Sequence, residues 1–277
     1  MLHWTFDPVL LPLFAGLGAL YVRAVRVLDR RGYRVPRWQQ ASWWTGFGLI
    51  LIGLFSPVDY YSDDLLSFHM AQHMLLGDLA APLLIAGLRS PVLFFLLPKP
   101  VLVPLARSRL RTAFRFVRRP LIALPIYVIG LYGWHFAATF DAAASHPPIH
   151  ALQHESFTII NVLLWWAVLE PKKRSMPGDL WKIGYISGAR MFSMFLGVGL
   201  IFSRHPWYAS YYHDRARLHG ISPLSDQQIA GGMMMTLDIV IMFAALCLFF
   251  WKASVDADRR ELLDRELPAH GRVVARH

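Results

Sequence analysis

The chain has 277 residues, is 55% hydrophobic with a mean hydropathy of +0.38, and carries a formal charge of +10. Apolar runs of about 18 residues or more exclude an ordinary soluble domain and read as membrane spans. The basic residues alternate with these runs and form no DNA- or RNA-binding motif, so the charge points to the lipid bilayer and not to nucleic acid.

The single Cys247 leaves no disulfide framework and no paired-thiol metal or redox motif. The first residues, MLHWTFDPVLL, lack the basic start and small-residue cleavage site of a secretory signal, so the first apolar run is expected to be a retained span. Asp7 and Pro8 supply an N-cap and a proline at the first helical position, opening span 1 at about 8–28. A loop with Arg23, Arg26, Arg30, Arg31, Arg34 and Arg37 follows. Span 2, about 38–55, begins with the interfacial residues Trp38, Trp43 and Trp44 and stops near Pro57. After the acidic, aromatic loop VDYYSDD comes span 3, about 65–88. It covers roughly 36 Å, enough for a hydrocarbon core of about 30 Å.

Segment 89–120 is basic and interfacial. Prolines at 91, 98 and 100 disfavour a spanning helix. Leu110, Phe114 and Val117 recur at helical spacing among arginines, which predicts a helix lying on an anionic membrane surface. Span 4, about 121–143, carries Trp134 and His135 in its far half. Span 5, about 149–169, opens with His150 and His154, and span 6, about 181–202, contains Arg190. The loop 203–225 is rich in Tyr, Trp and His, and span 7, about 226–251, opens with DQQIAGGMMM. The charged tail 252–277 is expected to be a short helix followed by disorder.

The loops after spans 1, 3, 5 and 7 hold 24 of the 28 Lys and Arg residues. The positive-inside rule then puts the N-terminus outside and the C-terminus inside, making 252–277 a cytoplasmic tail. The expected fold is an all-α polytopic membrane bundle of seven transmembrane helices formed by residues 1–251.

That orientation gathers scattered polar residues. His69 and His73 stand at i and i+4, as do His150 and His154, and such pairs share one helical face with Cβ atoms about 5–6 Å apart. Two imidazoles so placed can converge on one ion. The segments HMAQHM at 69–74 and HALQHE at 150–155 nearly repeat each other, and each opens an apolar span. Spans 3, 5 and 7 start at the outer surface and span 4 rises toward it. His69, His73, His135, His150 and His154 are thus expected at one depth, as metal ligands. Histidines avoid apolar spans unless something there satisfies them.

Gln72, Gln153, Asp226 and Gln227 are expected to hold the second ring nitrogens. Met70, Met74 and the methionines at 233–235 add thioethers, and imidazole with thioether suits copper, particularly Cu(I). Glu155 and Asp226 are the carboxylates at this level, too few for a di-iron site. Bis-histidine haem, another transition metal, or histidines that merely bond a neighbouring helix stay open as alternatives. The loop residues His205, His213 and His219 are candidates for an outer capture site, whereas His3, His146, His270 and His277 carry no expectation. Asp78 and Asp238 fall near mid-membrane with Arg190, and buried charges must pair. The expected arrangement is Arg190 bridging Asp238 or Asp78 to lock the bundle, with a proton or ion pathway as the functional alternative. No Ser-His-Asp arrangement, phosphate loop or nucleotide motif is visible, so soluble-type enzyme chemistry has no foothold, and a metal carrier is favoured over an enzyme. A haem- or metal-dependent membrane oxidoreductase or electron carrier, and a metal transporter, are the competing functions.

SFHMAQHMLLGDLAAPLLIAG, the Trp-His of span 4, HALQHESF and DQQIAGGMM together resemble the CtaG-type cytochrome c oxidase assembly proteins, from about residue 42 to 251. The resemblance implies a seven-span bacterial inner-membrane protein that assists maturation of haem-copper oxidases. His69, His73, His135, His150, His154, Asp226 and Gln227 match the family's motif positions. It further implies copper handling on the outer face, with a haem-copper oxidase subunit or a copper chaperone as partner. The soluble cysteine-bearing domain of a similarly named assembly protein is missing from this chain, so a thiol mechanism does not carry over.

Overall fold

The computed structural model describes Trp4 and residues 8–169, 180–208 and 219–274, with backbone alone at 260 and from 263 onward. The expected Asp7 cap, the basic turn at 170–179 and His213 lie outside the described residues. Within them every regular element is a helix and none is a strand.

Helix α1 (Leu10–Arg30) and α2 (Arg37–Phe55) are followed by a short α3 (Pro57–Ser62) inside the acidic loop. Ser56 starts α3 by accepting from Val58 N at 3.1 Å, with Pro57 at the first helical position. Helix α4 (Leu66–His73) passes through a π-helical stretch, Met74–Ala80, into α5 (Ala81–Gly87). The wide turn stands where the sequence forces an adjustment. Pro82 has no N–H to give and its ring crowds the carbonyl four residues back. At Gly77 a Cβ would lie 2.5 Å from Asn161 Nδ2, so only glycine admits that side chain.

The proline-rich stretch forms α6 (Val92–Leu96) and α7 (Lys99–Arg107), and the basic stretch forms α8 (Arg109–Val117). Helices α9 (Pro120–His135) and α10 (Ala137–Ser145) follow, then α11 (Pro147–Leu169), α12 (Leu180–Phe202) and α13 (Pro223–Val274). Among the described residues four stretches are long and apolar enough to cross a membrane: α1, the run Leu66–Gly87, α12 and Pro223–Arg259 of α13. Helices α9 and α10 make a fifth when counted as one, bent by 70°.

That bend departs from the straight span expected over 121–143. Phe136 is extended at ψ 138°, and the Thr139 hydroxyl donates to the Gly133 carbonyl at 2.5 Å and the Phe136 carbonyl at 2.9 Å, covering the freed end of α9. No proline or glycine marks the break. The tail also differs from expectation, because α13 continues as one helix of 52 residues into the charged segment.

The run α4–α5 is central, packing against α2, α3, α11 and α13, while α1 lies against α6. Tyr21 of α1 stacks on Trp43 of α2 with centroids 4.3 Å apart. The most extensive pairing joins α12 to α13. Its backbones nearly touch where Gly231 faces Gly197: a Cβ on Gly231 would sit 2.6 Å from the Gly197 carbonyl oxygen. Gly231→Leu is therefore expected to wedge the pair apart at a cost of about 1–3 kcal/mol. Thermal unfolding of the purified variant checks this, and Gly232→Leu, whose Cβ meets nothing, is the control.

Candidate metal centre

The first turns of α4 and α11 face each other and bring their i, i+4 histidine pairs together. His69 Nε2 and His73 Nε2 are 2.9 Å apart, and His150 Nε2 and His154 Nε2 are also 2.9 Å apart. Across the two helices, ring centroids lie 4.5 Å apart for His73 and His154, 5.4 Å for His69 and His150, and 5.8 Å for His69 and His154. Ring nitrogens of His69, His150 and His154 all fall within 4.8 Å of one another. Four imidazoles thus form one cluster at one end of the bundle.

His135 ends α9 beside this cluster without joining its contacts. Trp134 Nε1 donates to Ser156 Oγ at 2.7 Å, tying α9 to α11, and Tyr208 Oη donates to the His135 carbonyl at 3.0 Å. Phe157 stands between His135 and His73, with ring centroids 5.9 and 4.5 Å away. His205 is exposed on its loop, and His219 pairs with Asp64 at 3.0 Å, so neither reaches the four rings.

Of the expected supporting residues, Asp226, Gln72 and Gln227 bond the helical framework. Asp226, at 0% exposure, accepts from Leu66 N at 2.7 Å and Ser67 N at 3.3 Å, and also from the Ser67 hydroxyl. It caps α4, whose own N-cap position, Leu65, has no side-chain acceptor. Gln72 Nε2 donates to the Gly53 carbonyl at 2.9 Å and Asp59 Oδ1 at 2.7 Å. Gln227 Nε2 donates to the Leu200 carbonyl at 3.0 Å, and its Oε1 accepts from Trp207 N at 2.7 Å. Gln153 is buried with its Oε1 unpartnered among the described residues, as is His154 Nδ1. Asp226, Gln72 and Gln227 bind backbone because three helix junctions here expose orphan groups that a sequence pattern does not reveal.

Two carboxylates escaped notice. Asp59 lies in α3 and Asp63 just after it, and Asp59 Oδ1 accepts from Gln72, the residue before His73, at 2.7 Å. Glu155, by contrast, is exposed on α11. The only available signal was the acidic loop at 58–64, which the chain folds back over the histidine end.

Deeper in the bundle Arg190, at 0% exposure, meets both acids at once: Nη1 is 2.5 Å from Asp78 Oδ1 and 3.3 Å from Asp238 Oδ1. The π-helical stretch makes this possible. Its i→i+5 pattern brings residues five apart onto one face, so Asp78 lies beneath His73, and both line one internal chamber.

An all-helical chain with membrane-length helices and a cluster of inward-facing imidazoles defines a candidate metal-handling membrane protein. Comparison with known sequences gives its family. The model of the cytochrome c oxidase caa3 assembly factor family (Caa3_CtaG) matches residues 19–255, and the chain belongs to that family. Its relatives include uncharacterised proteins of Mycobacterium bovis and Mycobacterium tuberculosis, each 26% identical over 260 residues, and one of Mycobacterium leprae, 25% identical over 256 residues. These matches cover 88% of this chain but only 38% of each relative. No solved structure matches.

Proposed function

We propose that this chain is a non-enzymatic assembly factor of the bacterial inner membrane that receives copper and passes it to a haem-copper oxidase. In this reading it spans the bilayer seven times, with α2 and α11 completing the set, the N-terminus outside and the C-terminus inside. The distribution of Lys and Arg supports that orientation. The histidine end then faces outward.

The observation that carries the reading is the meeting of His69, His73, His150 and His154. Two imidazole nitrogens bound side by side to one ion at about 2.0 Å lie roughly 2.8–3.3 Å apart. Both observed separations of 2.9 Å, each a hydrogen bond between the paired rings, fall in that range, and an ion would take the place of the shared proton. Across the two helices the ring centroids lie only 4.5, 5.4 and 5.8 Å apart, too close for a porphyrin to stand between them, which favours an ion over haem. Copper is written here as cargo: it exchanges ligands on the way in and out, and its oxidation state need not change. The membership in an oxidase-assembly family supports an oxidase subunit as partner, a copper chaperone being the alternative.

Elemental analysis of the purified protein tests the reading. Wild type is expected to retain copper, and His73→Ala and His154→Ala are each expected to lose the ion held by the four imidazoles and so to lower the copper content, since each removes a proposed direct ligand. Equal content in all three preparations contradicts the proposal.

A further inference from the structure

Beneath the four imidazoles lies a small internal chamber of about 30 Å³. His73 borders it on the cluster side and Asp78 and Asp238 on the other. Its wall also includes His135 and the three methionines Met70, Met74 and Met234, all buried, beside apolar and aromatic side chains and the polar Asn161 and Ser193. The volume is that of one or two waters, so any guest is ion-sized.

The His135 ring is fixed for coordination. Its Nδ1 stands 2.7 Å from the Leu131 carbonyl, which can only accept, so Nδ1 carries the proton and Nε2 the lone pair. That Nε2 is buried, and among the described residues nothing donates to it. A buried acceptor left unpaired is costly and calls for a partner. The lining side chains include three methionines, and a nitrogen with thioethers is the donor set of soft, monovalent copper. On the far side one guanidinium faces two carboxyl groups, so the chamber presents no excess positive charge to repel a cation.

We propose that this chamber is a second, deeper station for Cu(I), bound by His135 Nε2 and the thioethers of Met70, Met74 and Met234. It is separate from the four-nitrogen cluster and shares with it only His73, which borders both. The proposal rests on the copper reading of that cluster, and the two fail in different ways.

The test uses the full chain in lipid nanodiscs, titrated with Cu(I) under reductant against a chromophoric Cu(I) chelator, with copper X-ray absorption on the loaded samples. Wild type binds two ions, and its spectrum contains a sulfur shell. The combined variant Met70→Leu, Met74→Leu and Met234→Leu preserves apolar volume, so it keeps the outer ion while losing the inner one and the sulfur shell. His135→Leu likewise retains one ion. His150→Ala with His154→Ala retains the sulfur-bound ion. A wild type that binds one ion through nitrogen alone overturns this inference and leaves the functional proposal standing. So does a sulfur shell that survives the triple methionine variant, or one that vanishes when the outer histidines are removed. A wild type that binds no copper overturns both.

Discussion

Arg190→Leu is expected to lower the thermal midpoint of the purified protein by on the order of 10 °C and to reduce its abundance in the membrane. Arg190 joins α12 to the π-helical stretch through Asp78 and to α13 through Asp238, and its guanidinium also lies 5.2 Å from the Tyr127 ring. Three long elements are thereby held by one side chain that solvent does not reach. Removing it strands two carboxyl groups in the interior, and breaking a buried pair in this way costs about 3–5 kcal/mol. A few degrees per kcal/mol, the usual conversion for a chain of this size, gives the expected shift. Adding Asp78→Asn and Asp238→Asn to Arg190→Leu restores much of the loss, because removing all the charges together can be nearly neutral. If the triple variant is no more stable than the single one, the cost lies in packing and not in stranded carboxylates. If Arg190→Leu unfolds like wild type, the ion pair does not lock the bundle.

The second large effect belongs to Asp226→Ala. The first N–H groups of any helix lack intrahelical partners, and those of α4 are buried. Asp226 reaches across from α13 to accept from Leu66 N, Ser67 N and the Ser67 hydroxyl. Its negative charge also sits at the positive end of the helix dipole. Alanine would leave three donors unmet at about 1–3 kcal/mol each, though relaxation keeps the total below their sum. His69 and His73 lie within two turns of this cap, so the loss is expected to reach the metal cluster as well. The outcome expected is a lower thermal midpoint together with weaker copper retention. Asp226→Asn should recover part of both, because its amide oxygen can still accept. A variant that loses stability while retaining copper at the wild-type level would separate the cap from the site.

Much of the candidate site was legible because helical spacing is a strong constraint. His69 with His73, and His150 with His154, had to share faces once their segments were helices, and the apolar run after each pair fixed their place near a helix start. The partnership of Arg190 with Asp78 and Asp238 was accessible for a similar reason, since few alternatives exist for a charge in an apolar bundle. The rest depends on contacts between segments far apart in the chain. Asp226 lies 160 residues from the backbone it caps, and nothing in its own neighbourhood names that partner. The 70° turn at Phe136 has no glycine or proline to announce it, yet it places His135 at a helix end with its ring turned inward. The π-helical stretch is visible only once Gly77 meets Asn161 and Asp78 meets Arg190. Asp59 and Asp63 come near the histidines through the folding of α3, which the sequence presents simply as an acidic loop.

The claim on which the account turns is that imidazoles from α4 and α11 share one ion. An anomalous scattering map of copper-loaded crystals, collected across the copper absorption edge, tests it most directly. The account predicts a peak enclosed by the rings of His69, His73, His150 and His154 that disappears in crystals of His154→Ala. Copper found only at surface sites, or a peak enclosed by these four rings that survives the loss of His154, would contradict it.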